Sequence, residues 1–131
     1  MSETALVAPL RETDGRLRDA WLFDETDHES VFVRSDVTER IEEVDVERFV
    51  DNERYGYVTR ETYESLHYTE YAYTVRGFDA FVQFRTFLDT ADGDRVGLMA
   101  SFDPDGTPDF RALADRLTAV AAAESITVGA D

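Results

Sequence analysis

Six tyrosines, Tyr55, Tyr57, Tyr63, Tyr68, Tyr71 and Tyr73, fall within nineteen residues, and Arg54, Arg60, His67 and Arg76 stand among or beside them. Tyrosine and arginine join rigid contact area to a polar tip, which is why both are favoured where proteins bind. Recognition is the chemistry this stretch suggests. The candidate surface comprises Arg54, Tyr57, Arg60, Tyr63, His67, Tyr73 and Arg76, and it extends to Phe81, Arg85 and Phe87 on the following strand. Packing inside one chain would explain Tyr71 and Tyr73 equally well.

Other constellations carry less. His28 lies among Asp24, Glu25, Asp27 and Glu29, a carboxylate-imidazole group of the kind that holds divalent ions, yet an exposed acidic turn accounts for it as readily. Asp89, Asp92 and Asp94 surround Gly93, but a calcium loop needs a bidentate Glu six residues after its glycine, and Met99 stands there. Cysteine is absent, which excludes disulfides, thiolate metal sites and thiol nucleophiles. Lysine is absent too, and so are a glycine-rich phosphate loop and a nucleophile elbow. With twenty-nine acids in the chain, any pair of carboxylates is statistically cheap. No catalytic residue, metal or cofactor is expected.

Thirteen arginines face those twenty-nine acids, for a formal net charge of -16 in 131 residues. Salt screens repulsion between acids over a few ångströms, and arginine is less hydrated than lysine while pairing its fork with carboxylates. Such a surface suits the cytoplasm of a salt-accumulating halophile. It lacks the basic footprint of an autonomous nucleic-acid binder, although a local patch of Arg54, Arg60 and Arg76 would permit a transcription-linked regulator. No apolar run approaches membrane-spanning or signal-peptide length, so neither a membrane nor an export route is expected.

The elements that must position these residues follow from periodicity. A helix is predicted from residue 3 toward 18 on Leu6, Val7, Leu10 and Leu17, with Gly15 interrupting it. Ala20–Phe23 and Ser30–Arg34 read as a hairpin. A helix then starts at Ser35 or Asp36, with Glu39 at capping-box spacing, and bends or restarts at Val44-Asp45-Val46. A break is expected around Gly56, then a short helix from Arg60 to Leu66 capped by Thr59. Strands are predicted over 70–76, 80–88 and 95–102, and a last helix behind Thr107 as cap and Pro108 as first residue. Both faces of 80–88 carry aromatics, so its second face needs a covering helix or another subunit. A homodimer through one self-complementary patch would meet that need.

The order is α-β-β-α-(α)-β-β-β-α: an α+β domain with a five-stranded, mainly antiparallel sheet and helices packed on it. One domain spans 1–131, with its core at about 3–123 and a frayed tail from 124. This order resembles the roadblock and longin-like (profilin-like) domains, whose usual sequence is helix, two strands, helix, three strands, helix; the 57–67 segment is extra. The chain also resembles small acidic haloarchaeal proteins. The topological resemblance implies a protein partner such as a small GTPase or a signalling protein. The leading expectation is a non-catalytic interaction or scaffold module. Its rivals are the DNA-linked regulator and a small-molecule sensor or enzyme with a pocket lined by Tyr57, Tyr63, His67 and Tyr73.

Overall fold

The structure is a computed structural model that describes residues 4–126 and 128. Chain order is α1 (Thr4–Glu12), β1 (Leu17–Phe23), β2 (His28–Val33), α2 (Thr38–Glu42), α3 (Val46–Arg54), α4 (Gly56–His67), β3 (Thr74–Gly77), β4 (Val82–Asp89), β5 (Arg95–Phe102) and α5 (Phe110–Ala122). The strands form one sheet in the order β2-β1-β5-β4-β3, antiparallel throughout, so the α+β expectation holds. β1 pairs with β5 at its centre, although most of the chain separates them.

Alternation along the strands gives the sheet two unlike faces. On one side Ala20, Leu22, Phe84, Leu98, Ala100 and Phe102 point at Leu6 and Leu10 of α1 and at Leu113 and Leu117 of α5, forming the larger core. On the other side Phe23 and Met99 meet Val50 of α3, with Phe49, Tyr57 and Phe87 around them. The covering helix for the second face of β4 is therefore supplied within the chain, by α3 and α4.

Local chemistry corrects several boundaries. Asp36 does not cap α2, because its carboxylate takes the Arg34 guanidinium instead, at 2.6 and 3.0 Å, and Val37 precedes the helix with no side-chain cap. Of the bend or restart expected at Val44–Val46, the chain takes the restart: Asp45 accepts from the Arg48 amide at 3.1 Å and caps α3. The break expected around Gly56 falls at Tyr55, between α3 and α4, but α4 starts at Gly56 rather than Arg60, so Thr59 lies inside it with its amide bonded to the Tyr55 carbonyl. Thr107 is held by Asp14, at 2.7 Å between hydroxyl and carboxylate, so Asp109 caps α5 through the Ala112 amide at 3.0 Å.

The strand expected from residue 70 begins only at Thr74. Side chains occupy the backbone before it, since the Tyr71 amide donates to Glu64 at 2.8 Å and the Thr86 hydroxyl donates to the Ala72 carbonyl at 2.8 Å. The tail expected to fray from 124 is docked over its described part. Ile126 and Val128 are buried in the larger core, and the Ala91 amide donates to the Glu124 carbonyl. Residues 127 and 129–131, and residue 3 at the predicted start of α1, lie outside the described residues.

Candidate functional site

Two close approaches bring the helical layer onto the second face of the sheet. A Cβ on Gly97 would stand 2.2 Å from the Phe23 ring, which lies over this bare stretch of β5. A Cβ on Gly56 would stand 2.8 Å from both the Arg85 guanidinium and the Phe87 ring. The start of α4 therefore rests directly on β4, and only glycine fits there.

Beneath that contact lies a buried charged cluster. Glu53, 3% exposed, accepts from Arg85 Nη1 at 3.1 Å and from Arg76 Nη1 at 2.9 Å. The second terminal nitrogen of Arg85 donates to the Thr74 hydroxyl at 3.0 Å, and the Tyr71 hydroxyl donates to the Arg85 carbonyl at 3.1 Å. A carboxylate taken this far from water is tolerable only when paired, and here two guanidinium groups share it. Phe87 is the apolar counterpart, with the Tyr57 ring 4.6 Å away and Arg85 and Arg60 over it at 5.3 and 6.0 Å. Burial, aided by the charges of Asp24 and Glu25, pushes the Tyr57 hydroxyl above its ordinary value, so it stays protonated.

The ten sequence candidates thus separate into groups. Tyr57 and Arg60 of α4 meet Arg85 and Phe87 of β4, and Arg76 joins them only through Glu53 of α3. Arg54 belongs to the hairpin, where it donates to the Asp24 carbonyl at 2.7 Å and the Asp27 carbonyl at 3.1 Å. Tyr63 and His67 stack on each other at 6.3 Å on the outside of α4. Tyr73 crosses to the opposite face of the sheet, 5.8 Å from Phe84. Phe81 lies under the Arg18 guanidinium at 5.1 Å. Tyr57, Tyr63, His67 and Tyr73 accordingly do not line one pocket, and Arg54, Arg60 and Arg76 do not converge on one basic face. His28 pairs with Glu47 at 3.3 Å, and no group of three or more metal-ligating side chains occurs among the described residues.

Among the described residues, the outward side of α4 has no element packed on it. Its inner side carries Tyr57, Arg60 and Glu64, all engaged with the sheet or with Tyr71. At 100° per residue the outer side carries Tyr55, Val58, Thr59, Thr62, Tyr63 and Leu66, without a single charge. Five of the eight most exposed large apolar side chains among the described residues, Tyr55, Val58, Tyr63, Leu66 and Tyr68, fall in this one stretch. Tyr68 ends the helix in the left-handed region, φ 61°, and is 100% exposed. Glycine is the usual residue at such a position.

A concave feature that no sequence motif marks lies beneath α2. Between α2 and the sheet lies a slot of about 210 Å³, walled by Val37, Ile41, Val44 and Phe49 and floored by Ser101 and Gln83. Asp19 sits beside it, nine-tenths buried, accepting from Ser101 and, at 3.1 Å, from the Trp21 indole. Glu53 and Asp19 gave no signal of their own in a chain with so many acids. Glu53 was traceable only through Gly56, three residues on, where α4 meets the sheet.

No helix among the described residues is long and apolar enough to cross a membrane. No curated protein and no solved structure matches the chain. A family model described as domain of unknown function (DUF7522) matches residues 4–122, and the chain belongs to that family.

Proposed function

We propose that this member of the DUF7522 family is a non-catalytic interaction module of a salt-rich cytoplasm, a regulator or scaffold that pairs with a second copy of itself through the outward side of α4. One observation carries the reading: the largest concentration of exposed apolar side chains lies on a helix face without charge, in a chain with a net charge of -16. Two copies of so acidic a molecule repel wherever acids meet, and this face lets them approach without burying a carboxylate. Its shape also suits a helix partner. Thr59 and Thr62 make a shallow groove between ridges of Tyr55, Val58, Tyr63 and Leu66, and Thr62 returns its hydroxyl to the Val58 carbonyl at 3.2 Å.

A two-fold pairing of α4 with its copy buries the same patch on both chains. The second face of β4, once the reason to expect a subunit, is covered by α3 and α4, so α4 takes over that role. The resemblance to roadblock and longin-like domains is supported by element order, with α2 to α4 standing where those domains have one central helix. The acid-rich, lysine-free composition supports the halophilic setting.

Light scattering across protein concentration in molar KCl tests the pairing. Wild type is expected to move from monomer toward twice that mass at roughly micromolar concentration, as fits a small interface. Leu66→Glu is expected to remain monomeric with an unchanged circular dichroism spectrum. A wild type that stays monomeric at every concentration, or a Leu66→Glu that pairs as well, would overturn the reading.

A further inference from the structure

Strand β1 advances two residues, from Leu17 to Asp19, where β5 advances one, from Phe102 to Ser101. Arg18 is the extra residue of this bulge. Bulges re-aim side chains, and this one places Arg18 and Asp19 together at the slot beneath α2. The Arg18 guanidinium lies over Phe81 at 5.1 Å, and its nearest acid, Asp103, is 3.8 Å away and already held by Arg34 at 3.0 Å. Its Nε is buried without a protein partner among the described residues.

Arg40, on α2, lines the same slot. Its side chain makes no hydrogen bond, ion pair or ring contact among the described residues. Arg40 therefore leaves a charged donor fork available at the slot. At Arg18 it is the buried Nε, not the charge, that is left without an acceptor. The Asp19 carboxylate already accepts from Ser101 and Trp21, so the unmet capacity of the slot is for an acceptor rather than a donor.

We infer that the slot between α2 and the sheet binds a small organic acid with an apolar body, its tail among Val37, Ile41, Val44 and Phe49 and its carboxylate at Arg18 and Arg40. The guanidinium fork matches a carboxylate in shape and charge. The volume of about 210 Å³ corresponds to roughly seven waters, which limits the tail to a short chain or a single ring. Asp19 on the same side disfavours a doubly charged head. The site is separate from the outward side of α4 and stands or falls independently of the pairing proposed there.

Trp21 provides the readout, being the single tryptophan of the chain and packed edge-on against Phe49 at 5.7 Å. n-Octanoate, 1-octanol and n-octylammonium are titrated in molar KCl against Trp21 fluorescence, with the melting temperature followed in parallel. Octanoate is expected to shift the emission and raise the melting temperature, binding about tenfold or more tighter than octanol, the scale of a charged hydrogen bond. Octylammonium is expected to bind least. Arg40→Gln changes an exposed, unpaired side chain and leaves the fold intact; it should bring octanoate close to octanol, whereas Leu66→Glu should bind octanoate as wild type does. Equal affinity for acid and alcohol, preference for the amine, no response to any of the three, or full octanoate affinity in Arg40→Gln would each overturn the assignment.

Discussion

On the α1 and α5 side of the sheet, Leu22, Phe84, Leu98 and Phe102 meet other carbon and almost nothing else. On the α3 and α4 side, the same strands offer Asp19, Trp21, Ser101, Arg85 and Phe87, and the helices answer with Glu53, Tyr57 and Arg60. The first face gains stability from area removed from water, which salt does not weaken. The second joins its layers through a few directional contacts whose geometry is specific and whose net stabilisation is smaller. A sheet built this way keeps its fold on one side and leaves the other free to shape a slot and a helix ridge.

Phe84→Ala and Glu53→Ala would test that contrast most severely. Each is expected to cost about 3–5 kcal/mol in denaturant unfolding, Phe84 through the cavity it leaves and Glu53 through the stranded Arg85 charge. The two should then part company. Replacing Glu53 and Arg85 together by methionine should restore most of the loss, because an apolar pair avoids the desolvation that the ion pair must offset. No second change on the dry face should rescue Phe84→Ala so simply.

Asp103→Asn is expected to act more gently and only over part of the pH range. The hydrogen bond and charge of Arg34, with Arg16 and Arg18 nearby, hold the Asp103 carboxyl below its ordinary value. A depressed carboxylate stabilises the fold fully above its unfolded value near 4 and loses that contribution as pH falls through the folded value. The gap between wild type and variant should therefore be about 1–3 kcal/mol at neutral pH and close in acid, as read from unfolding curves between pH 7 and 2. Tyr68→Gly is expected to have the smallest effect and the opposite sign. Relief of the left-handed conformation should stabilise the monomer by about 1 kcal/mol, measured by thermal unfolding.

The strand content was largely legible because β4 and β5 alternate strongly, and β5 coincides with the predicted 95–102. The stripe of Leu113 and Leu117 likewise identified α5. Helix starts were harder, since each has several acids or threonines within reach. Asp36 and Thr107 fit the pattern of caps but are claimed by Arg34 and Asp14, contacts that only the fold creates. The candidate site divides by orientation. Tyr63, Leu66 and His67 do share a side of α4, but that side faces outward, and the inward side is built from Tyr57, Arg60 and Glu64. A helix that seats its polar residues against a polar sheet face inverts the usual pattern, and periodicity alone does not report the inversion. The bulge at Arg18 was likewise invisible, because it arises from how β1 registers with β5.

That register also bears on how the molecule is made. β1 has no complete set of neighbours until β5 arrives, and roughly eighty residues lie between the end of one and the end of the other. At roughly 5–20 residues per second, a ribosome exposes the first strand for about 4–16 s before its central partner emerges. During that interval Trp21, Leu22 and Phe23 are paired on one side at most, with the β2 hairpin. The acids of the 24–29 turn travel beside them. Charges placed directly beside an apolar strand disfavour its pairing with another chain at contact range, a protection that is present before any native surface exists.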